Sequence, residues 1–327
     1  MSDTSIREIS ASVTTELERF DVYLRQQMRA RTALLDTVIR YILRQRGKRV
    51  RPTLVFLAAG ASGGITDRSY VGATMVELLH TATLVHDDVV DQADERRGLA
   101  SINAVWKNKI AVLVGDYLLS KGLLIAVHHN EFDYLRLSSE AVRRMSEGEL
   151  LQIQKSRQKT LDEETYFRII SDKTASLIST CCEIGAISAS GNTEIRAAMA
   201  HYGELVGLAF QIRDDVLDYT SRSSILGKPV GNDIREGKIT LPLLYASQLS
   251  PKSETKDAVK IVKSKSGKRK DIDAVRMFVE QYNGVKLAQD KAVELQQQAI
   301  ATIASFPDSV YKSALIDFAH FVVTRNS

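Results

Sequence analysis

Proline is scarce in this chain, with five in 327 residues, at positions 52, 229, 242, 251 and 307. Proline breaks helix interiors, so long stretches are left free to be helical. Glycine is scattered rather than clustered, and no linker divides the chain. Strand-like alternation is nearly absent, whereas Leu, Ala, Ile, Glu, Lys and Arg dominate. The composition predicts one all-α domain over residues 1–327. Cysteine is almost missing too. Cys181 and Cys182 are neighbours, and neighbours in a helix point in different directions. No intrachain disulfide is expected, which fits a reducing compartment. Residues Met1 to Ser10 are polar and lack the apolar stretch of a signal peptide. No apolar run approaches the roughly 20 residues of a membrane span. The expected location is therefore cytoplasmic. A net charge of +4 is too small to argue for nucleic acid. The basic stretch from Lys260 to Lys270 has no interleaved aromatics and reads as a solvated loop between helices.

Helical apolar spacing runs through most of the chain. It predicts helices over 4–46, 53–61, 68–92, 102–129, 132–158, 162–190, 193–221, 238–248, 255–263, 271–282, 284–305 and 308–325. Gly47 reads as a C-terminal cap and Pro52 as a first-turn residue of the next helix. The segment from Leu226 to Asp233 breaks the pattern and reads as a loop. It lies just past the second of two acidic clusters, placed to fold over whatever that cluster binds.

Those clusters carry the chemistry. The first is Asp87-Asp88-Val89-Val90-Asp91, and the second is Asp214-Asp215-Val216-Leu217-Asp218. Each follows an apolar helical run, although Asp is a poor residue for a helix interior. Residues four apart share a helix face, about 6 Å apart at Cβ. Asp87 and Asp91 therefore point one way, as do Asp214 and Asp218. Two such pairs facing each other would make a hard, oxygen-only site. That donor set suits Mg²⁺, which takes substrate phosphates as further ligands. Diphosphates also need cations, Arg as a bidentate partner and Lys as a point charge. The candidates are Lys48 and Arg51 at a helix junction, Arg96 and Arg97 five residues past Asp91, Lys173, Lys228 and Lys238. His80 lies two turns before Asp87 on roughly the same face.

With these motifs in order, the chain resembles the trans-prenyltransferases, the all-trans polyprenyl diphosphate synthases. The resemblance runs from Gly47-Lys48-Arg49-Val50-Arg51-Pro52 through Gly115-Asp116-Tyr117-Leu118 and Glu147-Gly148-Glu149-Leu150-Leu151-Gln152. It continues through Lys173-Thr174-Ala175 and the second cluster to Gly227-Lys228-Pro229 and the Gly231–Lys238 segment. The resemblance implies a large antiparallel helix bundle of the isoprenoid synthase type, working as a homodimer. It implies that Asp87 and Asp91 hold Mg²⁺ against an allylic diphosphate, with Asp214 completing the cluster. Asp88, Asp215 and Asp218 would support these through water or through bonds to the ligands. Arg96, Lys173, Thr174, Gln211, Lys228 and Lys238 would contact the allylic diphosphate. Lys48, Arg51, His80 and Arg97 would hold isopentenyl diphosphate. Lys173 and Lys228 join Asp87, Asp91 and Asp214 as the expected catalytic set.

Product length is expected to depend on Leu79, Ala82 and Thr83, which lie one and two turns before Asp87. In short-chain relatives bulky aromatics stand just before this motif, whereas Ala82 and Thr83 are small. The expected product is long, roughly hexaprenyl to octaprenyl, for quinone side chains, with transient membrane contact at its release. A farnesyl- or geranylgeranyl-length synthase is the alternative. A class I terpene cyclase is a further one, against which the second Asp-Asp-x-x-Asp and the Lys48/Arg51 pair argue. A non-catalytic subunit would be expected to lack motif aspartates, and all six are present.

Overall fold

The computed structural model describes residues 5–45, 47–96, 98–156, 162–220 and 231–325. The elements run in order as α1 (Ile6–Ile9), a 3-10 turn (Ser10–Val13), α2 (Thr14–Gln27), α3 (Ala33–Arg44), α4 (Val50–Ala61) and α5 (Asp67–Val90). A two-stranded hairpin, β1 (Glu95–Arg96) and β2 (Leu99–Ala100), follows, then α6 (Ile102–His128), α7 (Phe132–Ser156) and α8 (Glu163–Ile170). A π turn (Ser171–Ala175) leads into α9 (Ser176–Ala189) and α10 (Thr193–Thr220). The chain ends with α11 (Asn232–Glu236), α12 (Leu241–Leu249), α13 (Lys252–Lys263), α14 (Arg269–Gln281), α15 (Gly284–Thr302) and α16 (Val310–Thr324).

α4 and α9 form the centre. Every residue of α4 from Pro52 to Ala59 is buried, and α9 buries Leu177, Ile178, Cys181, Cys182 and Ile184. A helix that is apolar all round needs cover on all sides. α4 and α9 pack on each other, α5 lies against both, and α10 lies against α9. The two cysteines are free and buried here. A second apolar cluster, around Tyr219, Ile234, Leu243, Val262 and Val275, joins the end of α10 to α11 through α14. The arrangement puts each acidic cluster in the last turns of a long helix, α5 for one and α10 for the other.

Beyond the π turn, and α11 starting within the expected loop, three features of the bundle depart from the sequence reading. The expected helix over 4–46 is broken between Met28 and Ala33. Leu35, Val38 and Ile39 lie seven, ten and eleven residues past Met28, in helical register with the stripe, so apolar spacing gives no sign of the break. The hairpin at 95–100 was not foreseen, because two-residue strands carry no alternation to read. The third departure is α6. It is long and apolar enough to cross a membrane by length and composition, with an 18-residue window of mean hydropathy 1.9. Asp116 and Lys121 interrupt the run without offsetting it, and only 39% of that window is buried. Val105, Val112, Leu113, Leu124 and Val127 stand exposed along it.

Close helix approach at the centre depends on glycine. A Cβ at Gly185 of α9 would stand 2.8 Å from the Ala58 Cβ and 3.1 Å from the Ala59 nitrogen of α4. The neighbour is backbone, which cannot swing aside. Gly185→Ala should therefore destabilise the fold by about 1–3 kcal/mol, the usual cost of overpacking. Equilibrium denaturation checks this, and an unchanged midpoint would mean that α4 and α9 have slack.

Candidate active site

Consecutive helical residues diverge by about 100° around the axis, and that angle sorts each acidic cluster into different roles. On α5, Asp87 and Asp91 lie exposed at the rim while Asp88 is buried at 2% exposure. Asp88 accepts a 2.7 Å bond from Arg96 Nε of β1, so the unforeseen hairpin supplies the partner of the buried carboxylate. On α10, Asp214 is half-exposed and Asp215 is 4% exposed. Both Asp215 oxygens are engaged, one by the Tyr166 hydroxyl at 2.7 Å and the other by Gln211 Nε2 at 2.9 Å. Asp218 accepts from the backbone N–H groups of Asn232 and Asp233 at 3.0 and 3.1 Å, joining the motif to the start of α11.

The two clusters are linked by the π turn. Lys173 and Thr174 project from it into a cavity of about 180 Å³, shared with Gln211, Asp215, Tyr166 and Lys238. Thr174 Oγ1 donates to Gln211 Oε1 at 2.8 Å. Lys173 pairs with Glu149 of α7, and its Nζ lies 3.5 Å from Gln152 Oε1. Its charge also reaches Asp87 in the first cluster. Lys238 pairs with Glu236 and sits 3.7 Å from Asp233.

Charge crowding is visible in the carboxyl groups. Although Asp87 is exposed at the rim, loss of solvent on its bundle side raises its pKa, Asp91 and Glu149 add to the rise, and Lys173 and Arg96 oppose it. Burial likewise raises Asp88 against the Arg96 bond, and it holds Asp215 well above the ordinary carboxyl range. Asp233 is pushed up to about 6, by burial first and by Asp218 second.

A second cavity, of about 50 Å³, lies beneath the loop before α4 and is lined by Gly47, Arg49, His80, Asp88 and Arg96 among others. Arg96 thus stands with His80, apart from the cavity that holds Lys173, Thr174, Gln211 and Lys238, although its charge reaches Asp87. Lys48 is exposed on the loop, and half-buried Arg51 acts on the buried Cys181 thiol. Neither side chain lines this cavity. Arg49, between them, takes a left-handed φ of 52° and pairs with Asp21 at 2.9 Å and Glu77 at 2.7 Å. The left-handed residue at this junction is therefore Arg49, while Gln45 takes the cap position after α3 that was expected of Gly47. Leu79 and Ala82 are buried, and Thr83 is half-buried with its hydroxyl turned back to the His80 carbonyl at 2.9 Å. None of the three lines either cavity. Arg97, Lys228 and the 226–230 part of the expected covering loop lie outside the described residues.

Several residues of the site were not legible in the sequence. Arg325, beyond the end of α16, is 8% exposed and pairs with Asp214. Its guanidinium lies 4.0 Å over the Phe210 ring, and its carbonyl accepts from Arg213 Nε and Nη2 at 2.9 and 2.8 Å. A contact between residues 111 apart leaves no local pattern. Tyr166 is one of 11 tyrosines and had nothing to mark it. Glu149 did have a signal, its place in the Glu-Gly-Glu motif.

The residues present fit a hard divalent cation. They offer carboxylate oxygens alone, from two helix ends, in a like-charge setting that a cation would relieve. Among the described residues no three His, Cys, Asp or Glu are gathered into a closed cluster.

Comparisons with known proteins point the same way. The polyprenyl synthetase family model matches residues 32–279. Over 322 residues the chain is 35% identical to the octaprenyl diphosphate synthase of Haemophilus influenzae, covering 98% of both proteins. Over 320 residues it is 34% identical to the all-trans-nonaprenyl-diphosphate synthase of Rhodobacter capsulatus, again covering 98% of both. The crystal structure of a polyprenyl synthase from Caulobacter crescentus, complexed with calcium and isoprenyl diphosphate, superposes with a TM-score of 0.91. That relative is 32% identical, and the match covers 100% of both chains. The all-α bundle is thus that of the isoprenyl diphosphate synthases, and the chain belongs to the polyprenyl synthetase family of prenyltransferases.

Proposed function

We propose that this enzyme uses Mg²⁺ to elongate an allylic diphosphate by successive head-to-tail condensations with isopentenyl diphosphate, giving an all-trans polyprenyl diphosphate of roughly hexaprenyl to octaprenyl length. The observation that carries the reading is the placement of Lys173. It stands between the two aspartate clusters, in the cavity with Thr174, Gln211 and Lys238 and within electrostatic reach of Asp87. The full-length similarity to octaprenyl and nonaprenyl synthases supports the long product.

Asp87, Asp91 and Asp214 would hold the metal. When bound, it supplies positive charge to the departing diphosphate. Lys173, Thr174, Gln211 and Lys238 bind and orient that diphosphate, and Lys228 belongs to the same group by its motif. Preorganised donors of this kind act where charge develops as the allylic C–O bond breaks. The double bond of isopentenyl diphosphate then attacks the allylic cation. A proton is lost afterwards, to the departed diphosphate; among the described residues no histidine or cysteine lines the cavity. Lys48, Arg51, His80 and Arg97 serve the isopentenyl diphosphate side, and Arg96, beside His80 and within reach of Asp87, lies between the two substrates. Asp88, Asp215 and Asp218 act through the contacts described above. Arg325 must release Asp214 for the metal to take that oxygen. Apolar helices beneath the rim keep water from the cation.

The reading places residues 1–327 in one domain and the enzyme in the cytoplasm, where its buried free cysteines remain reduced. It also makes the enzyme a homodimer. The exposed apolar stripe of α6 supports this, continuing into Phe132 at the start of α7. Patches of that kind mark interaction surfaces.

Three measurements test these statements. Asp87→Ala should lower turnover by at least about two orders of magnitude, as loss of transition-state charge stabilisation does, with circular dichroism unchanged. Near-normal rates would remove the metal assignment. Thr83→Phe should shorten the product to about farnesyl or geranylgeranyl length while turnover continues, read by chromatography of dephosphorylated products. Thr83 is a cleaner site than Ala82, whose full burial exposes the fold itself to overpacking. Products of unchanged length would mean that the chain grows along another path. The pair Leu113→Glu and Leu124→Glu should convert a dimer to a monomer in sedimentation velocity, and a dimer that survives would move the interface off α6.

A further inference from the structure

The turn that carries Lys173 and Thr174 is a π turn. Such turns insert a residue into a helix at some cost and recur at functional sites. Here the insertion lets Lys173 and Thr174 both line the cavity, while Asp172 beside them points elsewhere. Something must hold this geometry against relaxation to an ordinary helix.

The neighbouring helices supply the hold. Arg144 Nε of α7 donates to Asp172 Oδ1 at 2.8 Å, and Arg144 Nη2 donates to Ser171 Oγ at 2.7 Å and to Glu204 Oε1 of α10 at 3.1 Å. Ser171 Oγ in turn donates to Glu204. One guanidinium thus ties α7, the π turn and α10 together. Its side chain is 27% exposed, and those of Asp172 and Glu204 are 15% and 23% exposed, so water competes only partly. Sterics match the charges. Gly148 lies four residues past Arg144 and Gly207 three past Glu204, on the same helix faces. A Cβ at Gly148 would stand 2.9 Å from the Asp172 Cβ and 3.2 Å from the Lys173 nitrogen, and one at Gly207 would stand 2.8 Å from the Ala175 Cβ. The π turn is gripped from both sides at van der Waals range.

We infer that Arg144, with Asp172 and Glu204, is a positioning residue for the reaction: it holds the π turn in the form that aims Lys173 and Thr174 at the allylic diphosphate. The fork of an arginine suits a node that must meet three oxygens from two elements at once. This inference rests on the reading of Lys173 as a ligand of the allylic diphosphate.

A double-mutant cycle tests it. Steady-state kinetics are measured for the wild type, Arg144→Met, Lys173→Met and the double variant, varying each substrate in turn. Arg144→Met should lower kcat/KM for the allylic diphosphate by about tenfold or more, within the range of coupling between residues of one network. The KM for isopentenyl diphosphate should stay within about twofold, the split expected of a local effect. In the Lys173→Met background the further loss from Arg144→Met should shrink to about twofold or less. If the two losses multiply in full, Arg144 does not act through Lys173 and the inference fails. If Lys173→Met alone leaves the allylic kcat/KM unchanged, the reading of Lys173 fails first, and this inference with it. Should Arg144→Met not fold, Glu204→Gln takes its place in the same cycle, with the same outcomes deciding.

Discussion

The constraint on which the site depends is the crowding of negative charge at two helix ends. Both aspartate clusters occupy the last turns of long helices, where the helix dipole already places partial negative charge. Six carboxylates added there repel one another and the helix ends. The chain answers with cations drawn from separated segments. Arg96 comes from the hairpin, Lys173 from the π turn, Lys238 from the segment after α11 and Arg325 from beyond α16. Each of these segments sets a cation near a carboxylate at the mouth of the bundle. The hairpin, the π turn and the end of the chain meet there, each with a cation beside the crowded carboxylates.

The same constraint divides labour within each motif. Asp88 and Asp215 directly follow the first aspartates and so point about 100° away, into the bundle. A buried carboxylate needs donors or it stays protonated. Arg96 satisfies one, and Tyr166 with Gln211 satisfies the other. Asp87, Asp91 and Asp214 keep oxygens toward the rim, while both oxygens of Asp218 are taken by the start of α11. Two adjacent aspartates are therefore not two copies of one ligand. One lies toward the rim, and its neighbour is buried and tied by hydrogen bonds to the surrounding side chains.

Most of the bundle was legible in advance because it rests on local periodicity. α4, α5, α9 and α10 lie close to where their apolar spacing put them, and both motifs fall on helices as spacing four implies. What remained hidden is non-local or too short to carry a period. The Arg325–Asp214 pair joins residues 111 apart. Tyr166 becomes a partner of Asp215 only after α8 has packed on α10. The π turn differs from an ordinary helix by one residue, and nothing in Ser171–Ala175 announces it. Arg49 shows the opposite failure. It sits among the motif cations yet is committed to Asp21 and Glu77, so a basic motif does not assign every one of its charges to substrate.

Rigidity and exchange are kept in different places. Below the rim, α4 and α9 meet through Gly185 with almost no slack, and the π turn is gripped through Gly148 and Gly207. Contacts of that kind fix backbone positions and cannot yield to a ligand. At the rim the contacts are ion pairs, and an ion pair can change partners without moving a helix. Lys173 can exchange Glu149, and Arg325 can exchange Asp214, with no shift of either helix. Reorganisation on binding is thereby confined to side-chain charges, while the atoms that must be aimed are held by packing. An enzyme that repeats one condensation many times on a lengthening chain needs that separation, because the reacting end must return to the same place after every addition while the product moves on.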